Sequence, residues 1–268
     1  MKIAAAFTMA RNQPIFLRLW CNYYCGQLGP ENCWVICEPN DVTLDDAKNL
    51  WPACHFIDLP SPFKTMHTQV DELELWRRQT VREWQEKLLQ DYKCCIFADT
   101  DEFLIPAVGG LSRYCEQFTA SGKPSVRSEG WTVVHQLKIE PTLTLVPGND
   151  VLEGRSLMRR LPRYDKTLLT KVPLRYSPGF HNLTTEDCTK RVNIPVNANL
   201  QLLHAWQLDV SFWTERQHLC ADVSQVEQFF QTGIAPWAPL PEPPLRPRSM
   251  YGAERCPVPE HWRGLLRW

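Results

Sequence analysis

Three carboxylates follow an apolar run in the segment "KCCIFADTDEFLIP", which covers 93–106: Asp99, Asp101 and Glu102. Carboxylates this close repel one another unless a cation or a set of hydrogen-bond donors lies among them. Two aspartates separated by one residue offer hard oxygen ligands, which suit Mg²⁺ or Mn²⁺ and leave open positions for substrate phosphates. We therefore predict that Asp99 and Asp101 bind a divalent ion. The alternative interpretation is a solvated acidic strand end.

The first hundred residues must position these acids, and they alternate between apolar runs and amphipathic segments. The runs predict four strands, at 2–10, 33–37, 54–59 and 94–98, and the segments between them predict three helices, at about 14–28, 43–50 and 69–90. This alternation is typical of βαβ units with a mainly parallel sheet flanked by helices. Ligands of such sheets bind beyond the carboxyl ends of the strands, where the acids are expected.

The second half of the chain is less regular, and we expect a mixed arrangement there. Its pattern predicts helices at 111–121, 211–219 and 223–231 and strands at 124–127 and 131–138. The segment 236–259 contains eight prolines in 24 residues, which excludes a regular helix or a central strand. We predict one domain over 1–235 and a Pro-rich C-terminal strap over 236–268.

Composition narrows the class of protein. The 268 residues include 29 basic and 30 acidic side chains, so the net charge of -1 gives no general attraction to nucleic acid. No run approaches the roughly 20 apolar residues of a membrane-spanning helix, and we expect a cytoplasmic protein without a transmembrane segment. The 11 cysteines are an odd number and indicate reduced thiols.

Two cysteine pairs raise the question of a thiol metal site. Cys21 and Cys25 lie on the first predicted helix, and Cys33 and Cys37 lie on the second predicted strand. Structural zinc sites usually use tight C-x-x-C loops, so the sequence favours ordinary core cysteines over metal ligands.

Five stretches together resemble one family. "FADTDEFL" resembles the D-x-D-E-F element of GT-A-fold, family-2-like glycosyltransferases. The family's other elements are resembled by "AAAFTMARNQPIFLRLWCNYYCGQLG", "YDKTLLTKVPLRYSPGFHN" (164–182), "LLHAWQLD" (202–209) and "VPEHWRGLL" (258–266). The resemblance spans nearly the whole chain. It departs from the family pattern at Trp206, where relatives often have a second histidine.

The resemblance implies a GT-A-like, Rossmann-like α/β fold and a metal-dependent glycosyltransferase. Such an enzyme moves a sugar from a nucleotide-diphosphate sugar to an acceptor hydroxyl, which we expect to belong to a carbohydrate. A Mn²⁺ or Mg²⁺ ion would neutralise the charge that develops on the leaving diphosphate. The family's late histidine, a further metal ligand, matches His204 best and His181 second.

Residues around the acids receive roles by position. Lys166 matches the family's lysine and, with Arg163, would face the diphosphate. The nucleoside would contact the ends of the first two strands together with the acid turn, at Ala10, Arg11, Asn12, Asp41 and Asp99.

An enzyme that inverts the anomeric centre needs a general base for the acceptor hydroxyl, and a retaining enzyme can act without one. Glu129 is the first candidate for this base and Asp209 is the second. The stereochemical outcome and the oligomeric state stay open.

Two other functions fit parts of the pattern. A haloacid-dehalogenase-like phosphatase also ends a strand in Asp-x-Asp, with the first aspartate as nucleophile, and Glu186 and Asp187 would be its later acid pair. Its motif usually follows the first strand, whereas three predicted strands precede Asp99 here. A non-catalytic nucleotide- or sugar-binding module is the other alternative.

Overall fold

The computed structural model describes residues 1–39, 41–60, 70–133, 135–136, 139–185, 190–209 and 255–268. In this part of the chain the α-helices are α1 (Pro14–Leu28), α2 (Asp45–Leu50), α3 (Val70–Leu88) and α4 (Leu111–Ala120). The strands are β1 (Lys2–Ala10), β2 (Cys33–Cys37), β3 (His55–Asp58), β4 (Tyr92–Phe97), β5 (Glu102–Pro106), β6 (Ser125–Val133), β7 (Leu157–Arg160), β8 (Leu169–Thr170), β9 (Leu183–Thr184), β10 (Arg191–Val192), β11 (Val196–His204) and β12 (Arg255–Pro257). None of these helices is both long and apolar enough to cross a membrane.

Ten of the described strands form one sheet, in the order β12-β7-β6-β8-β4-β1-β2-β3, and β11 joins it by pairing with β5 and β6. The strands β1 to β4 pair in parallel with one another. The later strands combine antiparallel pairs with the parallel pair β6–β11. This arrangement confirms the predicted α/β class, the mainly parallel sheet flanked by helices and the mixed C-terminal half.

The register of the parallel strands brings three strand ends to one edge. Ala10 at the end of β1 lies beside Cys37 at the end of β2, and Phe7 lies beside Phe97 at the end of β4. The middle of β1 is fully buried, since helices cover both faces of the sheet there. A strand buried on both faces has a continuous apolar sequence, which is why "KIAAAFTMA" shows no alternation.

One strand is longer than the sequence suggests. The predicted break between a strand at 124–127 and a strand at 131–138 is wrong, because β6 is a single strand from Ser125 to Val133. Ser128 looks like a loop residue, yet it is buried, and both its N–H and its hydroxyl donate to the carbonyl of Lys166. The strand therefore continues through its polar centre.

The C-terminal residues 255–268 pack onto the sheet. The strand β12 pairs antiparallel with β7, and Trp262 is fully buried with its Nε1–H donating to Gln201 Oε1 at 3.0 Å. The predicted helices at 211–219 and 223–231, the boundary at 235 and most of the Pro-rich segment lie outside the described residues.

The first prediction concerns Gly130, which lies close to the backbone of Tyr164. A Cβ atom at Gly130 would lie 2.4 Å from the carbonyl carbon of Tyr164, in the segment that leads to Lys166. We expect Gly130→Ala to lower the free energy of unfolding by about 1–3 kcal/mol, as overpacking does, in urea denaturation. Gly122→Ala is the control, because that glycine is exposed with open space around it. Equal effects of the two substitutions would contradict the prediction.

Candidate functional site

The acid pair lies in the turn between β4 and β5, at the sheet edge where β1 and β2 also end. Asp99 has a side chain that is 25% exposed, whereas Asp101 and Glu102 are buried. The Glu102 N–H donates to the Asp99 carbonyl at 3.0 Å, and the Ala205 N–H donates to the Asp101 carbonyl at 2.8 Å. The turn is thus held from both halves of the chain.

Two cations face these acids. Lys166 Nζ lies 2.5 Å from Glu102 Oε1 and 3.6 Å from Asp99 Oδ2. Arg77, on α3, donates to Asp99 Oδ1 at 3.0 Å and forms an ion pair with Glu74 at 2.8 Å. Cationic side chains from two distant parts of the chain therefore offset part of the repulsion between the acids.

Burial and charge act in opposite directions on the innermost pair. Burial raises the pKa of Glu102 to about 7, although the attraction of Lys166 opposes this shift. Burial alone would lower the pKa of Lys166, but the charges of Glu102 and Asp99 outweigh it and raise that pKa above its ordinary value. Lys166 is therefore a fixed positive charge at neutral pH.

His204 reaches the acid pair from β11. The antiparallel pairing of β11 and β5 places His204 opposite Glu102. Its Nε2 lies 3.6 Å from Asp101 Oδ2 and 4.0 Å from Glu102 Oε1. The Tyr164 ring stacks on the imidazole with a centroid distance of 4.1 Å, which fixes the orientation of the ring. Of the two predicted histidines, His204 is the one placed beside a predicted metal ligand.

His181 lies on the same aromatic cluster but one ring farther away. Its ring centroid is 5.7 Å from that of Tyr164. Burial, assisted by the positive charge of Lys166, lowers the pKa of His181 to about 4. The imidazole is neutral at physiological pH and able to accept a hydrogen bond or bind a metal.

A cavity of about 350 Å³ opens beside the acid pair. This volume lies within the range of about 300–1,000 Å³ that small-molecule sites occupy. Its walls come from the ends of β1 and β2, from the turn after β4 and from α3. Its polar lining includes Arg11, Gln13, Glu38, Glu74, Arg77 and Asp101. The structure therefore contains the crevice that the strand order predicts.

Asp41, a predicted nucleoside contact, has a supporting role in this structure. Its Oδ2 accepts from the Asn12 N–H at 3.0 Å, and its Oδ1 accepts from the Thr43 N–H at 3.1 Å. Asn12 has a positive φ of 49°, which this contact helps to hold. Asp41 thus ties the loop after β1 to the loop after β2. Its contact with a nucleoside stays a prediction.

Two further predicted residues lie on the second half of the chain. Arg163 is exposed, and its guanidinium lies 5.0 Å from the centroid of the Tyr164 ring. Glu129 on β6 accepts from Trp131 Nε1 at 2.9 Å and lies 3.4 Å from Arg160 Nε. The Glu129 side chain is 22% exposed, so a carboxylate edge stays accessible, and its role as a base stays a prediction.

The structure argues against Asp209 as the general base. Its carboxylate is fully buried, and its Oδ2 accepts from Arg155 and from the Leu143 N–H. His135 Nδ1 lies 3.5 Å from the same oxygen. A base for an acceptor hydroxyl must reach the substrate, whereas Asp209 compensates the buried charge of Arg155.

Sequence reasoning missed Arg77 and Tyr164. Arg77 lies on the polar side of α3, three residues after Glu74. This spacing is typical of an ordinary ion pair on a helix surface. Tyr164 precedes Lys166 in a loop segment with no helical or strand period. The contact of Arg77 with Asp99 and that of Tyr164 with His204 arise only from tertiary packing.

Comparisons with known proteins give fold-level likenesses only. No family model matches the chain, and no curated protein matches it. Residues 1–349 of TarS from S. aureus match 83% of this chain and 66% of their own length, with 11% identity and a TM-score of 0.41. Core-mannan synthase A from Aspergillus fumigatus, in a Mn/GDP form, matches 53% of this chain and 45% of its own length, with 13% identity and a TM-score of 0.30.

A third solved structure is mannose-1-phosphate geranyltransferase from Thermus thermophilus. It matches 87% of this chain and 65% of its own length, with 11% identity and a TM-score of 0.27. This chain thus spans two thirds or less of the length of each of these three structures. Identities and TM-scores this low do not assign the chain to a family or to an activity.

The second prediction concerns the buried ion pair of Lys166 and Glu102. We expect Lys166→Met to lower the free energy of unfolding by about 3–5 kcal/mol at neutral pH, because it leaves a buried carboxylate without its cation. Adding Glu102→Gln should recover part of that loss, since both charges are then removed. Urea denaturation of the two single variants and the double variant measures the coupling. Strictly additive effects would contradict the pairing.

Proposed function

We propose that this protein is a metal-dependent glycosyltransferase that moves a sugar from a nucleotide-diphosphate sugar to a hydroxyl of a carbohydrate acceptor. The observation that carries this proposal is the charge balance beside the cavity. Four carboxylates, of Glu74, Asp99, Asp101 and Glu102, face the two cations Arg77 and Lys166. When all four carboxylates are ionised, the formal excess is two negative charges, which one divalent cation would neutralise.

The donor set supports Mn²⁺ or Mg²⁺ in this place. Asp99 and Asp101 offer hard oxygen ligands, and His204 offers an imidazole nitrogen beside Asp101. When bound, the ion supplies a positive charge that stabilises the leaving diphosphate without a proton. The partly exposed edge of Asp99 toward the cavity leaves room for substrate oxygens.

The two cations have different roles in this proposal. Lys166 is almost fully buried and stays paired with Glu102, so it fixes the acid turn and adds positive potential to the diphosphate site. Arg77 lines the cavity, and its bond to Asp99 uses an oxygen that a metal ion would also seek. A bound ion would compete for that oxygen and leave the guanidinium for the donor diphosphate, which it binds well.

The nucleoside would lie at the ends of β1 and β2, over Ala10 and Arg11, in the same cavity. Asn12 and Asp41 would hold the loops around it. The acceptor would approach from the side of β6 and β11, where Glu129 is our candidate for the base of an inverting reaction. Arg163, exposed beside Tyr164, would meet the donor from that side.

The third prediction tests the metal role of the acids. We expect UDP or GDP to bind more tightly when Mn²⁺ is present, in isothermal titration calorimetry. Losing a hydrogen-bond partner of a metal ligand already lowers metal affinity by about tenfold or more. Asp101→Asn changes a ligand itself, so we expect it to reduce this gain at least about tenfold. The matched control is Asp91→Asn, because Asp91 is exposed just before the start of β4, at the end of that strand opposite the acid turn. A metal effect that Asp101→Asn leaves unchanged would refute the assignment.

Turnover separates the proposed function from its rivals. With Mn²⁺ present, the wild-type protein should release a nucleoside diphosphate from nucleotide sugars, and Asp101→Asn should slow that release. Hydrolysis of phosphate monoesters instead would favour the phosphatase. Binding without either reaction would favour a non-catalytic module.

The fourth prediction concerns Arg77. We expect Arg77→Gln to weaken the binding of UDP or GDP in the presence of Mn²⁺ about tenfold or more, the size of a lost charge-assisted hydrogen bond. Arg82→Gln is the control on the same helix, where Arg82 pairs with Glu86 at the surface. Calorimetry at saturating Mn²⁺ measures both variants. Equal affinities would show that Arg77 serves only to hold Asp99.

A further inference from the structure

Four buried cysteines converge beneath the sheet edge opposite the cavity. Cys21 and Cys25 lie one helical turn apart on α1, and Cys54 lies in the loop before β3. The sulfur atoms of these three residues all lie within 4.8 Å of one another. All three side chains are buried.

Cys33, the first residue of β2, adds a fourth thiol to this group. Its thiol lies near that of Cys25 and donates to the Gly29 carbonyl at 3.6 Å, and its carbonyl accepts from Cys54 Sγ at 3.3 Å. It too is fully buried. The four residues come from a helix, a strand and a loop. We call them the thiol cluster.

We propose that the thiol cluster of Cys21, Cys25, Cys33 and Cys54 is a structural Zn²⁺ site. This differs from the expectation drawn from sequence spacing, because the site uses Cys54 and Cys33 in place of a C-x-x-C loop. Cys37, the other member of the second pair, points elsewhere and contacts the Ile57 carbonyl at 3.7 Å.

The geometry is close to what zinc requires. A Zn–S distance of about 2.3 Å in a tetrahedron places the sulfurs about 3.8 Å apart. The sulfurs of Cys21, Cys25 and Cys54 lie within 4.8 Å of one another, so they require movements of about 1 Å or less, which cysteine rotamers and a loop can provide. Cys33 lies outside that group, and its side chain would turn in from beside Cys25.

The chemistry of the cluster also favours a soft cation. Zn²⁺ would bind all four sulfurs as thiolates, and each thiol would release its proton to solvent. Four soft sulfur ligands select Zn²⁺ over Mn²⁺ or Mg²⁺.

Other cysteines of the chain provide a comparison. Cys94 and Cys115 also contact each other, but among the described residues they form only a pair, and two sulfurs do not make a tetrahedral site. Cys95 is fully buried on β4 among apolar neighbours. These residues serve as buried core thiols, and they supply controls with matched burial.

Cobalt substitution tests the proposal directly. The reduced, metal-free full chain is titrated with Co²⁺, and thiolate coordination is read from its sulfur-to-cobalt charge-transfer absorption. We expect the charge-transfer band to saturate at one thiolate-bound Co²⁺ per chain and to disappear on addition of one equivalent of Zn²⁺, and we expect zinc in protein purified without chelators. We also expect zinc to raise the melting temperature of the metal-free protein.

Variants locate the site. Cys25→Ser should abolish the charge-transfer band or weaken Zn²⁺ binding at least about a hundredfold, whereas Cys95→Ser should leave both unchanged. Asp101→Asn should also leave the band unchanged, so failure of this site is distinct from failure of the proposed catalytic site. Where Cys25→Ser does not fold, the wild-type titration still decides.

Three results would overturn the proposal. The first is a reduced wild-type chain that gives no charge-transfer band with Co²⁺. The second is a band that persists in Cys25→Ser but disappears in Cys95→Ser. The third is a purified chain in which these four cysteines form disulfides, detected as a lower mass and as missing free thiols.

Discussion

The constraint on which the site depends is the desolvation of Glu102. A fully buried carboxylate is unfavourable unless a cation compensates it, and Lys166 does so from a segment more than sixty residues later in the chain. This one ion pair holds the acid turn against the second half of the protein. Asp101 then lies beside His204, and Asp99 pairs with Arg77, so that a net negative charge faces the cavity. The excess charge is what the proposed divalent cation would neutralise.

The fold delivers these groups through two different kinds of strand pairing. Parallel pairing of β1, β2 and β4 brings the loops that follow these strands to one edge of the sheet. Antiparallel pairing of β5 with β11 then places the later part of the chain across that edge. The long strand β6 supports both, because Ser128 binds the carbonyl of Lys166 and Thr132 donates to that of His204. The close approach of Gly130 to Tyr164 belongs to the same support. The second half of the chain therefore holds the acid turn in place.

The sequence predicts those parts of the site that follow from strand order. Periodicity locates β1 to β4, and the carboxyl ends of parallel strands locate Asp99 and the crevice. The resemblance adds Lys166 and His204, both of which lie beside the acids. Arg77 could not be predicted, since its partner Asp99 is a tertiary neighbour from another element. The burial of Asp209 and the proximity of Cys54 to α1 depend on loop packing, which has no period in the sequence.

The two inferred metal sites would lie at opposite ends of the same elements. Gln13 precedes α1 and hydrogen-bonds Thr100 in the acid turn, whereas Cys21 and Cys25 lie in the later part of that helix. Likewise β2 begins at Cys33 and ends at the cavity, a rise of about 13 Å at about 3.3 Å per residue. Hard oxygen ligands at one end and soft sulfur ligands at the other would keep the two ions from exchanging. A structural ion at the thiol end would then fix α1 and β2, the elements that carry the cavity wall, without taking part in the chemistry.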